Sequence, residues 1–130
     1  MVLIWYIALG SALGGVGRYL AGELVQRAAQ TTFPTGTIAV NVTGSFLLGL
    51  IIRYAIETPS VTPEVRAFLT IGLCGGYTTF STFSFETARM MEDGEWVRAA
   101  VYVALSLLVS VGAVFLGFAA ARQLIAFRLR

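Results

Sequence analysis

The sequence predicts an all-α integral membrane protein, and three observations lead to this class. Hydrophobic residues make up 57% of the 130 positions, and the mean hydropathy of +0.80 is far above that of soluble domains. The apolar residues form runs of about 20, the length that a helix needs to cross ~30 Å of hydrocarbon. Because lipid offers the backbone no hydrogen bonds, a helix is the expected structure for every run.

Four such runs divide the chain, which we interpret as a single transmembrane domain over residues 1–130. No arginine or lysine precedes the first run, so we expect a membrane span there and not a cleaved signal peptide. The four expected spans are residues 3–24, 36–56, 65–90 and 96–126.

The third expected span has a composition that favours an interruption near residues 75–79. Its central part, residues 72–85, reads GLCGGYTTFSTFSF. Glycine loses more backbone entropy than any other residue when a helix forms, and threonine hydroxyls compete for backbone hydrogen bonds. An unwound backbone frees carbonyl oxygens, which coordinate Na⁺ or similar cations in membrane proteins.

The charged residues exclude several functions. All nine basic residues are arginine, and they lie at the ends of apolar runs instead of forming a basic stripe for nucleic acid. Histidine is absent and Cys74 is the only cysteine, which excludes an intrachain disulfide and a His/Cys metal site. The serines have no histidine as a base, and we expect Glu86 at the membrane interface. We therefore predict neither an enzyme nor a proton relay.

Polar side chains recur every four residues in the second and fourth spans, so each set lies on one helix face. The two sets are Thr37, Asn41 and Ser45, and Tyr102, Ser106 and Ser110. Hydrogen bonding between helices explains either set alone, and for Asn41 this interpretation stands equal to a role in an ion path. Two sets beside an interrupted helix favour a polar route. With Ser81 and Thr82 they supply neutral donors, which suit a small anion that must replace its hydration shell.

Two further positions bear on such a route. Phe80 and Phe83 are three residues apart and share one helix face. An aromatic ring has a positive edge, so rings presented edge-on attract an anion, although packing against other helices is the simpler interpretation. Arg18 lies near the end of the apolar first span, where it either reaches the membrane interface or attracts anions into a vestibule. Gly10 and Gly14 in the same span have the spacing of close helix packing.

The arginines give almost no preference for one orientation in the membrane. If both termini lie on one side, five arginines face that side and four face the other, a negligible bias under the positive-inside rule. Chains inserted in opposite orientations would pair about a two-fold axis in the membrane plane. The five are Arg53, Arg66, Arg122, Arg128 and Arg130, and the four are Arg18, Arg27, Arg89 and Arg98.

Three segments of the chain resemble the small bacterial fluoride channels of the Fluc/CrcB family. They are GGVGR at residues 14–18, TIAVNVTGSF at 37–46 and GLCGGYTTFSTFSFE at 72–86. The resemblance implies a dual-topology, antiparallel homodimer in the bacterial inner membrane. It also implies two fluoride pores that pass the ion passively out of the cytoplasm.

The resemblance also implies roles for individual residues. Phe80 and Phe83 correspond to the rings that meet fluoride with their edges, and Asn41 to the polar residue that supports the ion path. The backbone carbonyls of Gly75 and Thr78 correspond to ligands of a structural Na⁺ shared between subunits. The remaining pathway positions are Ser81, Thr82, Tyr102, Ser106, Ser110, Thr37 and the vestibule residue Arg18. Tyr77 replaces a smaller or aliphatic residue of the family pattern, which we expect to change packing near the interruption.

Two alternatives come from other classes of protein. A small multidrug exporter also has four short spans, but it needs a glutamate in its first helix, and residues 3–22 contain none. A structural assembly protein would use the glycines and hydroxyls only to pack helices. It would not require Asn41, Phe80 and Phe83 together.

Overall fold

The computed structural model describes residues 1–58 and 61–128, and every regular element in these two ranges is helical. Arg130, counted above in the orientation argument, lies outside the described residues. The elements in chain order are α1 (Val2–Ala29), α2 (Thr35–Glu57), α3 (Pro63–Ala67), a π-helix (Phe68–Cys74), α4 (Gly75–Tyr77), α5 (Phe80–Glu92) and α6 (Trp96–Arg128). The all-α class is therefore confirmed for the described part of the chain.

Three of these helices, α1, α2 and α6, are long and apolar enough to cross a membrane. At 1.5 Å per residue, α1 is about 42 Å long and α6 about 50 Å, and both exceed the ~30 Å of hydrocarbon. Large apolar side chains on their outer surfaces are exposed, among them Leu13, Leu108 and Leu116. This surface belongs against lipid or another apolar partner, which makes the chain a multi-pass membrane protein.

The third expected span consists of four consecutive helical pieces with an extended break between the last two. Thr78 (φ −84°, ψ 158°) and Thr79 (φ −147°, ψ 118°) have extended backbone, whereas Gly75 and Gly76 are helical. The interruption is thus at the threonines and not at the glycines. Thr79 then starts α5 as its N-cap, because its hydroxyl accepts a hydrogen bond from the Thr82 amide at 3.2 Å.

The glycines of this span instead let it approach α1 at backbone contact. A Cβ on Gly72 would lie 2.8 Å from the Ile7 carbonyl oxygen, and one on Gly76 would lie 2.7 Å from that of Ser11. On the α1 side, Gly10 faces the backbone of Phe68 and Gly72 with no room for a side chain. The packing interpretation is therefore confirmed for Gly10 and Gly14, the pair with the spacing of close helix packing.

The α2 and α6 helices form the other main contact of the fold. Gly49 and Gly117 again allow the backbones to approach, since a Cβ on Gly49 would lie 2.5 Å from the Val114 carbonyl oxygen. A cluster of buried side chains lies between α5 and α6 beside the start of α2, and Tyr102 is fully buried in it. This cluster consists of Phe83, Met90, Ala99 and Tyr102, with Phe33, Ile38 and Val103 around it.

Neighbouring glycines of α1 provide a test of the close contact. A Cβ at Gly14 would clash with the Leu73 carbonyl oxygen, whereas a Cβ at Gly15 meets nothing within 4 Å. We expect Gly14→Ala to lower the free energy of unfolding by about 1–3 kcal/mol through overpacking. Gly15→Ala should raise it by about 0.5–1 kcal/mol, because alanine has the better helix propensity. Thermal unfolding of both variants in detergent measures the difference, and equal unfolding temperatures would contradict the backbone contact.

Candidate functional site

The break between α4 and α5 is held by a side chain from α2. The Asn41 amide group donates to the Thr79 carbonyl oxygen at 3.1 Å, and the Asn41 amide oxygen accepts from the Thr79 N–H at 2.8 Å. Both backbone groups of an extended residue that is 6% exposed are thereby satisfied. Asn41 therefore does act as a bond between helices, the first of its two interpretations.

These bonds leave two carbonyls of the break without their usual helical donors. In a continuous helix the Thr79 N–H would donate to the Gly75 carbonyl, but here it donates to Asn41. The Thr82 N–H, which would donate to the Thr78 carbonyl, donates to the Thr79 hydroxyl. The two carbonyls expected to bind Na⁺, those of Gly75 and Thr78, are thus among the carbonyls of the break that have lost their helical donors. This arrangement fits a hard cation that takes oxygen ligands.

A first cavity of about 240 Å³ lies on the α6 side of the break. Two residues of α6, Ser106 and Ser110, contribute hydroxyls to its lining. Their oxygens are buried and have no hydrogen-bond partner within the part of the chain that the structure describes. Buried hydroxyls without partners are rare, so they indicate a place for a water or an ion. The other polar or aromatic lining residues are Asn41, Ser45, Thr78, Thr79, Phe80 and Phe83.

The two phenylalanines line this cavity in different environments. The rings of Phe80 and Phe83 have centroids 5.7 Å apart and planes tilted by 43°. Phe83 is 9% exposed, whereas Phe80 is 77% exposed. One ring is therefore part of the core, and the other stands at the surface of the chain.

A second cavity of about 360 Å³ lies on the α1 side of the break. Thr79 lines both cavities and separates them. Arg18 supplies a positive charge to the second cavity, and Thr37, Thr82 and Glu86 supply oxygens. The expected hydroxyl positions are therefore divided between two spaces instead of forming one continuous row.

Glu86 connects the second cavity with the core. Its two carboxylate oxygens accept hydrogen bonds from the Thr37 hydroxyl at 2.9 Å and the Tyr102 hydroxyl at 2.6 Å. It also lines a further cavity of about 570 Å³ together with Arg89 and Arg98, which we call the outer mouth. The sequence prediction placed Glu86 at the membrane interface and did not include these hydrogen bonds and cavities. Its position one helical turn after Thr82 was the signal in the sequence, since both side chains then share a face.

Three hydroxyls of the third span lie together at the start of α5. The Thr79 hydroxyl lies 3.0 Å from that of Thr82 and 3.3 Å from that of Ser81. Ser81 and Thr82 are both exposed, and Thr82 lines the second cavity. Thr79 therefore caps α5 as well as lining both cavities, which periodicity alone does not reveal.

Tyr77 occupies a space that α1 and α2 leave open. Its ring lies 3.6 Å from the Cβ position of Gly17 and 3.0 Å from that of Gly44. Its hydroxyl lies 3.0 Å from the hydroxyl of Thr43, which itself donates to the Ala39 carbonyl at 2.7 Å. Since Thr43 has one hydroxyl hydrogen, Tyr77 is the donor. The tyrosine therefore ties the residue before the break to α2.

The fold and these cavities define a multi-pass membrane protein with two cavities that meet at a broken helix. Comparison with known proteins gives the family. The sequence profile described as "CrcB-like protein, Camphor Resistance (CrcB)" matches residues 5–118. The chain belongs to this family.

Similar proteins cover nearly the full chain. A protein of Geobacter metallireducens is 48% identical over 124 residues, which are 95% of this chain and 100% of the relative. A Geobacter sulfurreducens protein is 47% identical over the same lengths, and an Agrobacterium fabrum protein is 44% identical over 95% of this chain and 99% of its own. All three are named "Fluoride-specific ion channel FluC".

Replacement of Asn41 tests the support of the break. Asn41→Ala leaves the Thr79 N–H and carbonyl unpaired, each at a cost of about 1–3 kcal/mol. We expect the amides of residues 78–80 to exchange hydrogen at least about tenfold faster, because their local opening becomes easier. Ser45→Ala is the matched control, since Ser45 lines the same cavity one helical turn away. Unchanged exchange in Asn41→Ala, measured by mass spectrometry, would contradict the supporting role.

Proposed function

We propose that this protein is a channel that conducts fluoride passively out of the bacterial cytoplasm across the inner membrane. One observation carries the proposal: the buried Ser106 and Ser110 hydroxyls have no hydrogen-bond partner among residues 1–58 and 61–128, and both serines line a cavity beside Phe83. Unsatisfied neutral donors at membrane depth suit an ion that must be stripped of water. The names of the relatives supply the identity of the ion.

The first cavity is suited to an anion by the charge of its lining. Its residues are neutral, so no carboxylate repels the ion there. Asn41 uses one of its two amide hydrogens on Thr79 and keeps the second for the cavity. An ion between the two serines and the positive edge of the Phe83 ring would exchange water for hydroxyls and ring hydrogens.

The second cavity connects this site to water. Arg18 places one positive charge in this cavity, which Glu23 and Glu86 also line, and Arg27 pairs with Glu23 at 2.9 Å. Thr37 and Tyr102 direct their hydroxyl hydrogens to Glu86 in this structure. We infer that they serve the pathway by holding this carboxylate in place, while Ser81 and Thr82 supply hydroxyls beside Thr79.

We propose further that two chains associate as an antiparallel, dual-topology homodimer. Two features support this assembly. Phe80 is 77% exposed beside a cavity that a second chain would close, and Gly75, five residues earlier in the chain, is exposed as well. The carbonyls of Gly75 and Thr78 from both chains would hold one Na⁺ at the dimer axis. A positive charge there lowers the cost of an anion in a low-dielectric interior.

The flux of fluoride from liposomes tests the proposed function. With a K⁺ gradient clamped by valinomycin, we expect vesicles that contain the protein to release fluoride and to retain chloride. The absence of fluoride release, or equal release of both anions, would reject the channel. A fluoride electrode and a chloride electrode follow the two ions in the same preparation.

Two phenylalanine substitutions give this assay a matched pair. Phe83→Ile keeps an apolar side chain but removes the ring edge, so we expect a reduction of roughly tenfold in the fluoride rate. Phe115→Ile changes a ring that is 65% exposed on α6, outside either cavity, and should leave the rate unchanged. Equal rates for both variants would reject a role for the ring edge.

Removal of Na⁺ tests the cation site. A ligand that binds only the assembled dimer at 100 times its Kd stabilises it by about 2.7 kcal/mol. We expect dimers dialysed for days against N-methylglucamine to dissociate at a higher protein concentration than dimers kept in Na⁺. Exchange of chloride for gluconate at constant Na⁺ is the control. Equal dissociation with and without Na⁺, measured by single-molecule subunit counting, would contradict the site.

A further inference from the structure

Gln26 makes four hydrogen bonds to the loop between α1 and α2 and to the start of α2. The amide group of Gln26 donates to the carbonyl oxygens of Thr31 at 2.6 Å and Phe33 at 3.1 Å. Its oxygen accepts from the Thr35 hydroxyl at 3.2 Å and from the Gly36 N–H at 3.1 Å. Since Pro34 at the N-cap position has no side-chain acceptor, Gln26 caps α2 from the neighbouring helix.

The same loop is attached to α6 through Phe33. The Arg98 guanidinium lies 5.8 Å from the centroid of the Phe33 ring, within the range of a cation–π interaction. Arg98 also donates to the Thr32 hydroxyl at 2.6 Å and is oriented by Glu95 at 2.9 Å. Contacts within the loop and with α6 therefore hold the Phe33 ring in place.

Phe33 also contacts the ring of Tyr102. The two rings meet edge to face, with centroids 5.7 Å apart and planes at 83°. Phe83 lies on the Tyr102 ring as well, with centroids 5.2 Å apart. Tyr102 is thus held between a loop residue and a residue of the first cavity. Because a phenol oxygen lies on the axis of its ring, the position of the ring decides where the hydroxyl points.

That hydroxyl donates to Glu86, the residue that lines both the second cavity and the outer mouth. We propose that Phe33 is a positioning residue of the anion pathway, which holds the Tyr102 ring so that its hydroxyl orients Glu86. Gln26 and Arg98 hold Phe33 in turn. This inference rests on the proposed function, since its readout is fluoride flux.

A double-mutant cycle separates positioning from general packing. Phe33→Leu keeps an apolar side chain in the core but loses the edge-to-face contact, so we expect the fluoride rate to fall about fivefold to tenfold. Phe33→Tyr keeps the ring and should restore the wild-type rate. Tyr102→Phe removes the hydroxyl, and if Phe33 acts through it, Phe33→Leu should cause no further loss in that background.

Two outcomes would overturn the inference. One is a wild-type rate in Phe33→Leu, and the other is a double variant whose loss is the product of the two single losses. Phe127→Leu, at an 81% exposed ring near the end of α6, controls for loss of an aromatic side chain.

If Phe33→Leu does not assemble by size-exclusion chromatography, Arg98→Lys replaces it in the cycle. Lysine keeps the charge but cannot bind Thr32 and Glu95 as a planar fork, so the same non-additivity with Tyr102→Phe is expected. Additive losses would again overturn the inference. A wild-type protein that passes no fluoride rejects the proposed function, whereas a conducting wild type with an unaffected Phe33→Leu rejects only the role of Phe33.

Discussion

The pair of hydrogen bonds from Asn41 to the Thr79 backbone is the constraint on which the centre of this protein depends. An extended residue among membrane helices carries an N–H and a carbonyl that lipid cannot satisfy, so the break exists only where another chain segment supplies both partners. Asn41 supplies them from α2. The same anchor releases the Gly75 carbonyl, because the Thr79 N–H donates to Asn41 instead.

Glycine and threonine divide two tasks that occur side by side in one segment. The glycines allow backbone contact with α1, and they remain helical while doing so. The two threonines leave the helix because their hydroxyls and a neighbouring carboxamide offer the backbone other partners. A chain with the glycines alone would have a close-packed helix without an opening, and a chain with the threonines alone would lack the contact that buries the segment.

The fold also separates groups that could compete with each other. The carboxylate of Glu86 is bonded to Thr37 and Tyr102 on one side of Thr79, and the free hydroxyls of Ser106 and Ser110 lie on the other. A negative charge beside the serines would occupy their hydrogens and repel an anion. Distance and hydrogen bonding keep the charged and the neutral oxygens apart, so each cavity has its own chemistry.

Much of this was determined by the sequence itself. Runs of about 20 apolar residues require helices in lipid, the four-residue spacing placed Asn41 and the α6 serines on inward faces, and the GGYTTF segment indicated an interruption. Tertiary contacts decided the rest: that Thr78 and Thr79 unwind and not the glycines, that Thr79 separates two cavities, and that Glu86 joins the second cavity to the core through Tyr102. The physical reason is that spacing along a helix fixes a face, whereas the partner of a polar group depends on which distant residue packs opposite it.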